Sequence, residues 1–358
     1  MNRSGAVLVT GGGGFIGSHA CIALSDKGYD VVVVDDHSRS SPCSIEIISR
    51  LAAGPINSYS LDINNTEDLS AVLRRHAVSA VIHFAAWKAV AESTQIPEEY
   101  FDINIGGTAS LLRAMRDAGA HRLVFSSSCS IYGDGTRGPL TESAPPRPTN
   151  PYAWSKWICE QMIDKAVRYH SEFRAISLRY FNPIGAHPSG LLGEDPIGVP
   201  LNVVPVLAQV AVGRLPVLSI FGDDYPTADG SAVRDYIHVM DVVDGHVVAL
   251  DHIDDSRSMQ VINLGTGIGT SVMELRTSFA AASGRDIPYV ICPRRAGDVA
   301  ELVADASEAY KRWGWKPTYD LDDMCRDAWN FQRLNPHGYS GELQQTAPWP
   351  LNVVPAWS

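Results

Sequence analysis

Short apolar runs alternate with amphipathic stretches through the first half of the chain. Residues 7–10, 31–35 (V-V-V-V-D), 80–84 (A-V-I-H-F), 122–126 and 175–180 read as strands. The run at 31–35 is too apolar for a strand with one face in water. Between these runs, residues 16–27, 66–77, 97–118 and 152–169 carry helical periodicity, and the T-E-D start at Thr66 resembles a helix cap. Apolar strands joined by helical crossovers predict a parallel sheet covered on both faces. Such crossovers are right-handed, so the fold class is α/β with a doubly wound, Rossmann-type sheet. The pattern changes after Phe181. Residues 182–201 are rich in Gly, Pro and His, 203–212 look helical, and 219–234 look like loop. Residues 235–251 read as strand then helix, and 261–264 as a strand before G-T-G. The remainder reads as smaller α/β pieces. Residues 341–358 have no helical period and read as an extension.

Composition narrows this picture. Of 358 residues, 45% are hydrophobic and 19% charged, so global disorder is excluded. A formal net charge of −11 argues against a polyanionic partner such as nucleic acid. Local basic pockets for a small phosphorylated molecule remain compatible with it. Residues 6–25 contain no Asp, Glu, Lys or Arg, which is the length of a membrane span. Their glycines instead predict strand, turn and buried helix, so neither a membrane anchor nor a secretory leader is expected. Cys21, Cys43, Cys129, Cys159, Cys292 and Cys325 form no CxxC pair and no zinc-like cluster. They read as buried thiols in a reducing, cytoplasmic compartment.

Two motifs carry chemistry. V-L-V-T-G-G-G-G-F-I-G-S-H places Gly11, Gly14 and Gly17 between a strand and a helix. Gly11 permits a tight turn, Gly14 admits a pyrophosphate to the backbone, and Gly17 packs helix on strand. Gly12 and Gly13 carry less constraint on this reading. The helix N-terminus offers N–H donors to the phosphates. Asp35 ends the second strand, where a carboxylate accepts both hydroxyls of an adenosine ribose and repels a 2′-phosphate. NAD is therefore expected rather than NADP, with Arg39 the one nearby feature pointing the other way. The second motif is Tyr152-Ala-Trp-Ser-Lys156, whose ends share a helix face. A lysine ammonium close to a phenol favours the phenolate and brings it towards working range as a base. Ser128, in F-S-S-S-C-S-I-Y-G after a strand, stands where a hydroxyl can bridge Tyr152 and a sugar hydroxyl.

This combination resembles the extended short-chain dehydrogenases and reductases, and within them the UDP-glucose 4-epimerase family. The strings H-F-A-A-W-K-A-V-A-E-S, N-I-G-G-T, P-Y-A-W-S-K, L-R-Y-F-N-P-I-G-A-H-P-S-G, D-Y-P-T-A-D-G-S-A-V-R-D-Y-I-H-V-M-D and P-R-R-A-G-D carry the likeness over nearly the whole chain. The resemblance implies reversible C4 epimerisation of UDP-glucose and UDP-galactose through a transient 4-keto sugar and bound NAD, in a homodimer. It implies Ser128, Tyr152 and Lys156 as the catalytic trio. Gly11, Gly14, Phe15, Ile16 and Gly17 would line the pyrophosphate, Asp35 the ribose, and Asp62 and Ile63 the adenine. Phe84, Ala85 and Lys88 would run along the cofactor, with Asn104 behind it and Phe181 near the nicotinamide. Asn182, Asn202, Arg234, Arg295 and Asp298 would hold the sugar nucleotide. Residues 1–181, with 235–265 returning to them, would form the NAD-binding unit and 182–340 the UDP-sugar unit. The helices near 97–118 and 152–169 would pair with a second copy, although Trp154 and Trp157 are equally compatible with ordinary core.

Some positions depart from the family's common pattern. Phe15 stands where tyrosine is frequent, and Ala86-Trp87 where a small residue and leucine are usual. Leu302 occupies a position resembling a gate on the sugar's 2-substituent, and a residue smaller than tyrosine there implies room for UDP-GlcNAc and UDP-GalNAc. Two other classes stay open: a reductase that releases its cofactor, which Asp35 disfavours, and a dinucleotide-sensing regulator, in which Tyr152 or Lys156 would be expected to be missing.

Overall fold

The computed structural model describes residues 5–134, 138–198, 200–295 and 298–339. Its strands in chain order are β1 (Ala6–Thr10), β2 (Val31–Asp35), β3 (Ile56–Ser60), β4 (Val78–His83), β5 (Arg122–Ser126), β6 (Arg174–Tyr180), β7 (Asn182–Ile184), β8 (Leu218–Phe221), β9 (Val233–His238), β10 (Gln260–Leu264), β11 (Gly269–Ser271), β12 (Tyr289–Cys292) and β13 (Glu301–Leu302). Seven of them form one sheet in the order β10-β6-β5-β4-β1-β2-β3. Every pairing in it is parallel. The chain winds outward from β1 to β3, then returns to β4 on the other side, which makes β1 and β4 the switch point.

Alternate strand residues build the two faces. Val7, Val9, Val31 and Val33 pack on one side with Ile22, Leu24, Ile48 and Val247. Leu8, Val32, Val34 and Val81 pack on the other with Leu69, Leu111, Met115 and Ile163. The unbroken valines of β2 thus serve two cores at once. Residues 6–25 become β1, the glycine turn and the buried helix Phe15–Asp26. No helix among the described residues is long and apolar enough to cross a membrane. All six thiols are free, with Cys43 and Cys292 half-exposed rather than buried.

Several elements escape the hydrophobic pattern. β3 (I-N-S-Y-S) is a polar edge strand that pairs only with β2. Helix Cys43–Leu51 precedes it. The stretch 97–118 is helical throughout, but a π-turn at Asp102–Gly106 joins helices Pro97–Phe101 and Gly107–Ala118. The stretch 219–234 expected as loop holds most of β8 and the start of β9, and β7 lies inside the Gly/Pro-rich segment.

Segment 235–265 is shared between two bodies. β9 sits in the smaller sheet, flanked by β11, β13 and β7. Helix Val239–Asp251 packs against the first core, and β10 extends the main sheet beside β6. A further core, with Leu207, Ile220, Tyr236, Phe279 and Met324, holds the smaller body. The turn after β5 reaches it, where Cys129 and Tyr132 pack with Leu302 of β13.

Candidate active site

The glycine turn is built by contacts that exclude side chains. Gly11 has φ +68°, and a Cβ there would lie 2.6 Å from the backbone nitrogen of Ala85. A Cβ on Gly17 would lie 2.2 Å from the Gly11 carbonyl oxygen. Gly12 and Gly13 prove as constrained, against the expectation above. A Cβ on Gly12 would meet Val33 at 2.7 Å, and one on Gly13 would meet the Ser40 hydroxyl at 2.8 Å. The Gly13 N–H donates to Asp35 Oδ2 at 2.8 Å. Gly14 is the freest of the four, its nearest neighbour 3.3 Å away. It is the N-cap of Phe15–Asp26, with no side-chain cap and no acid in the first turn. That end therefore presents backbone donors and uncompensated positive dipole.

Asp35 serves two masters. Its Oδ1 accepts from the His37 N–H at 2.9 Å and the Ser40 hydroxyl at 2.8 Å, and its Oδ2 from Gly13. A carboxylate has about four acceptor positions, so one direct place is left for a ribose hydroxyl. Arg39 is turned away from Asp35: it donates to Glu92 at 2.9 Å and lies 4.2 Å from the Trp87 ring centre. Asp62 is exposed and accepts from the Asn64 N–H at 2.8 Å. Ile63 is buried in the second core.

The opposite wall follows β4. Phe84 lies 4.6 Å from the His246 ring. The Asn104 side chain, in the π-turn, clasps Trp87 by accepting its N–H at 2.8 Å and donating to its carbonyl at 3.0 Å. Asn104 also donates to the Ser155 hydroxyl at 2.9 Å. Lys88 is half-exposed, with Nζ 5.9 Å from the Phe15 ring centre. It donates to Glu194 Oε1 at 2.8 Å, the same oxygen that accepts Asn202 Nδ2 at 2.8 Å.

Tyr152 and Lys156 enter from helix Pro151–Tyr169, whose start is fixed by Asn150 capping the Ala153 N–H at 2.9 Å. Ser128 caps the short 3-10 turn after β5 and accepts from the Ser130 hydroxyl at 2.9 Å. Burial pushes the Tyr152 phenol well above its ordinary range, Tyr180 adds to that, and the hydrogen bond with Ser128 opposes it. Burial pulls Lys156 down to about 8, against the smaller opposing effects of Cys159 and Glu160. Lys156 Nζ donates to the Ser126 carbonyl at 2.8 Å, at the end of β5. Phe181 is buried and stacks on Tyr132 with ring centres 6.4 Å apart.

The remaining residues gather in the smaller body. Asn182 opens β7, and its Oδ1 is buried without a hydrogen-bond partner. Arg234 on β9 donates to the carbonyls of Val233 and Val299, each at 2.8 Å. Asp298 brings the two arginines together: Arg295 Nε donates to its Oδ2 at 2.9 Å, and Arg234 Nη2 stands 3.8 Å from its Oδ1. Leu302 on β13 pairs in register with Arg234 and packs against the cluster of Cys129, Tyr132 and Phe181.

One constellation was missed in the sequence. Glu160, one turn beyond Lys156, accepts from Ser127 at 2.6 Å, Ser177 at 2.8 Å and Arg179 at 2.9 and 2.6 Å. Ser127 adjoins Ser128, so this buried ion pair anchors the loop that carries it. The visible signal was an arginine inside the apolar run of β6.

The turn fits a dinucleotide pyrophosphate. Its helix end is uncapped, its glycines admit close backbone approach, and Asp35 ends β2 beside the turn and accepts the Gly13 N–H. The buried, partnerless Asn182 Oδ1 fits a further hydrogen-bond donor on a ligand. Comparison with known proteins agrees with this geometry. The family model described as GDP-mannose 4,6 dehydratase matches residues 8–328. The chain is 47% identical over 336 residues to a UDP-glucose 4-epimerase of Erwinia amylovora, covering 94% of this chain and 100% of that protein. A UDP-glucose 4-epimerase of Bacillus subtilis is 45% identical, with 93% and 98% covered. Among solved structures, the UDP-glucose 4-epimerase of Stenotrophomonas maltophila, with bound NAD and formylated UDP-arabinopyranose, has a TM-score of 0.90 at 47% identity, covering 93% of this chain and 99% of that one. The enzyme of Bifidobacterium longum, in complex with NAD+ and UDP, has a TM-score of 0.90 at 46% identity, with 93% and 99% covered. Uncapped turn, Tyr152, Lys156 and near-complete coverage by these relatives lead to one assignment: the chain belongs to the UDP-glucose 4-epimerase family of extended short-chain dehydrogenases and reductases.

Proposed function

We propose that this chain interconverts UDP-glucose and UDP-galactose by inverting C4, using NAD that stays bound. The observation that carries the reading is the buried Tyr152 phenol hydrogen-bonded to Ser128, in a chain whose glycine turn leads into an uncapped helix start. When bound, the nicotinamide supplies a hydride acceptor and returns the hydride. Tyr152, through Ser128, takes the proton of the C4 hydroxyl and later gives it back. Lys156 is the chain's own source of positive charge for the phenolate, one helical turn away. Phe181 walls the reacting centre. Gly11, Gly14, Phe15, Ile16 and Gly17 hold the pyrophosphate, and Asp35 holds the adenosine ribose. Phe84, Ala85 and Lys88 line the same groove. Arg234, Arg295 and Asp298 grip the diphosphate and uridine ribose, aided by Asn182 and Asn202. Anchoring at the nucleotide end leaves the hexose free to turn as its 4-keto form. Residues 1–181 with 235–265 serve the dinucleotide and 182–340 the UDP-sugar.

The segment Ser128-Cys129-Ser130 contains neither Asp nor Glu. A 4,6-dehydratase needs an extra acid and base there to eliminate water, so epimerisation is favoured over the reaction named in the family model's description. Acceptance of N-acetylated UDP-hexoses belongs to the same reading, supported by Leu302 beside Phe181 and Cys129. So do a cytoplasmic location and a homodimer: Phe101 and Trp154 stand 38% and 46% exposed on the two helices that would meet a second copy.

Tyr152→Phe and Ser128→Ala test the proton path. Each is expected to lower kcat, Tyr152→Phe by about 10²–10⁴-fold, while affinity for UDP stays within about twofold. A Tyr152→Phe protein with wild-type kcat would overturn the assignment. UDP-GlcNAc in parallel assays reads out the role given to Leu302.

A further inference from the structure

We propose that Arg39 and Trp87 form a strap over the dinucleotide groove that sets how fast the cofactor leaves. This rests on the reading of the groove as the NAD site. In the main sheet β1 lies between β4 and β2, and the glycine turn occupies its C-terminal end. Arg39 follows β2 and Trp87 follows β4, so a contact between them must span that end. The contact is formed: the guanidinium carbon lies 4.2 Å from the Trp87 ring centre. Arg39 Nη2 also donates to Glu92 Oε1 at 2.9 Å.

Both ends of the strap are tied to the groove itself. Trp87 is held through its backbone by Asn104 at 2.8 and 3.0 Å, and its ring meets the fully buried Tyr100 edge-on at 5.6 Å. The Tyr100 hydroxyl donates to the other oxygen of Glu92 at 2.8 Å, which fixes the carboxylate that Arg39 uses. Beside Arg39, the buried Ser40 donates to Asp35 at 2.8 Å. The strap therefore joins the ribose side of the groove to its opposite wall, above the position of the pyrophosphate. A leucine in place of Trp87 cannot offer the Arg39 guanidinium an aromatic face. Engagement with Trp87 and Glu92 also keeps Arg39 from serving a 2′-phosphate.

Exchange of bound NAD for an excess of etheno-NAD, followed by fluorescence on the holoenzyme, tests the strap. Arg39→Ala and Trp87→Leu are each expected to speed exchange about tenfold, and the double variant no more than either alone, because one shared contact is lost. Thermal melting of each holoenzyme checks the fold, and Arg39, half-exposed, keeps the test available if Trp87→Leu is unstable. Exchange within twofold of wild type in Arg39→Ala, or strictly multiplicative effects in the double variant, would overturn the strap. A wild-type chain that binds neither NAD nor the analogue would overturn the underlying reading of the groove.

Discussion

The glycines differ in what they contribute, and the contacts of a hypothetical Cβ separate fold from binding. At Gly17 it would strike the Gly11 carbonyl at 2.2 Å, whereas at Gly14 the nearest atom is 3.3 Å away. Gly17→Ala is expected to cost about 1–3 kcal/mol or more in urea unfolding. Gly14→Ala is expected to stay within about 1 kcal/mol in the same measurement and to weaken NAD retention instead. The motif spacing revealed Gly11, Gly14 and Gly17, but not the packing of Gly12 on Val33 or of Gly13 on Ser40, which arises only once β2 lies beside β1. Lys156 offers a second test. Its folded value is about 8, below the ordinary ~10.4 of an unfolded lysine. Between those values the unfolded chain binds more protons, so this group makes stability rise with pH there and costs most below pH 8. Lys156→Met, which removes a buried charge, is expected to be more stable than wild type near pH 7, with the gain shrinking towards pH 10. A pH-independent difference would contradict this account of Lys156.

At the scale of elements, helix Pro151–Tyr169 does more than deliver Tyr152 and Lys156. Glu160 ties it to β6 through Arg179 and Ser177 and to the end of β5 through Ser127. The side chains of Arg179 and Glu160 are only 4% and 2% exposed. Glu160→Gln leaves a buried guanidinium without its counter-charge and is expected to cost about 3–5 kcal/mol in chemical denaturation. A loss below about 1 kcal/mol would show the pair to be dispensable. Helical spacing exposed the Tyr–Lys pair because both ends belong to one motif. Glu160 stayed hidden because its partners lie on strands that are distant in sequence. The strands legible beforehand were those buried on both faces, such as the valines of β2. β3 was not, since an edge strand reading I-N-S-Y-S lacks apolar periodicity and gains its place only by pairing with β2.

For the whole molecule, the doubly wound sheet followed from the alternation of apolar runs and helices, whereas the return of 235–265 to it was implied only by the family resemblance. β10 joins beside β6 after a long excursion, and segment 235–265 is divided between the two bodies. Topology of that kind depends on which edge remains open, which local pattern does not encode. The glycine turn and Asp35 belong to the main sheet, and Arg234 lies on β9 of the smaller one with Asp298 and Arg295 beside it, in a chain of net charge −11. On the function proposed above, Arg234 and Arg295 bring positive charge to where the sugar nucleotide's phosphates would sit. The most direct test mixes the purified chain with UDP-galactose, adds no dinucleotide, and follows the sugar signals by NMR. The account predicts that UDP-glucose appears and approaches a constant ratio with no net consumption of cofactor. Absence of UDP-glucose, with and without added NAD, would contradict it.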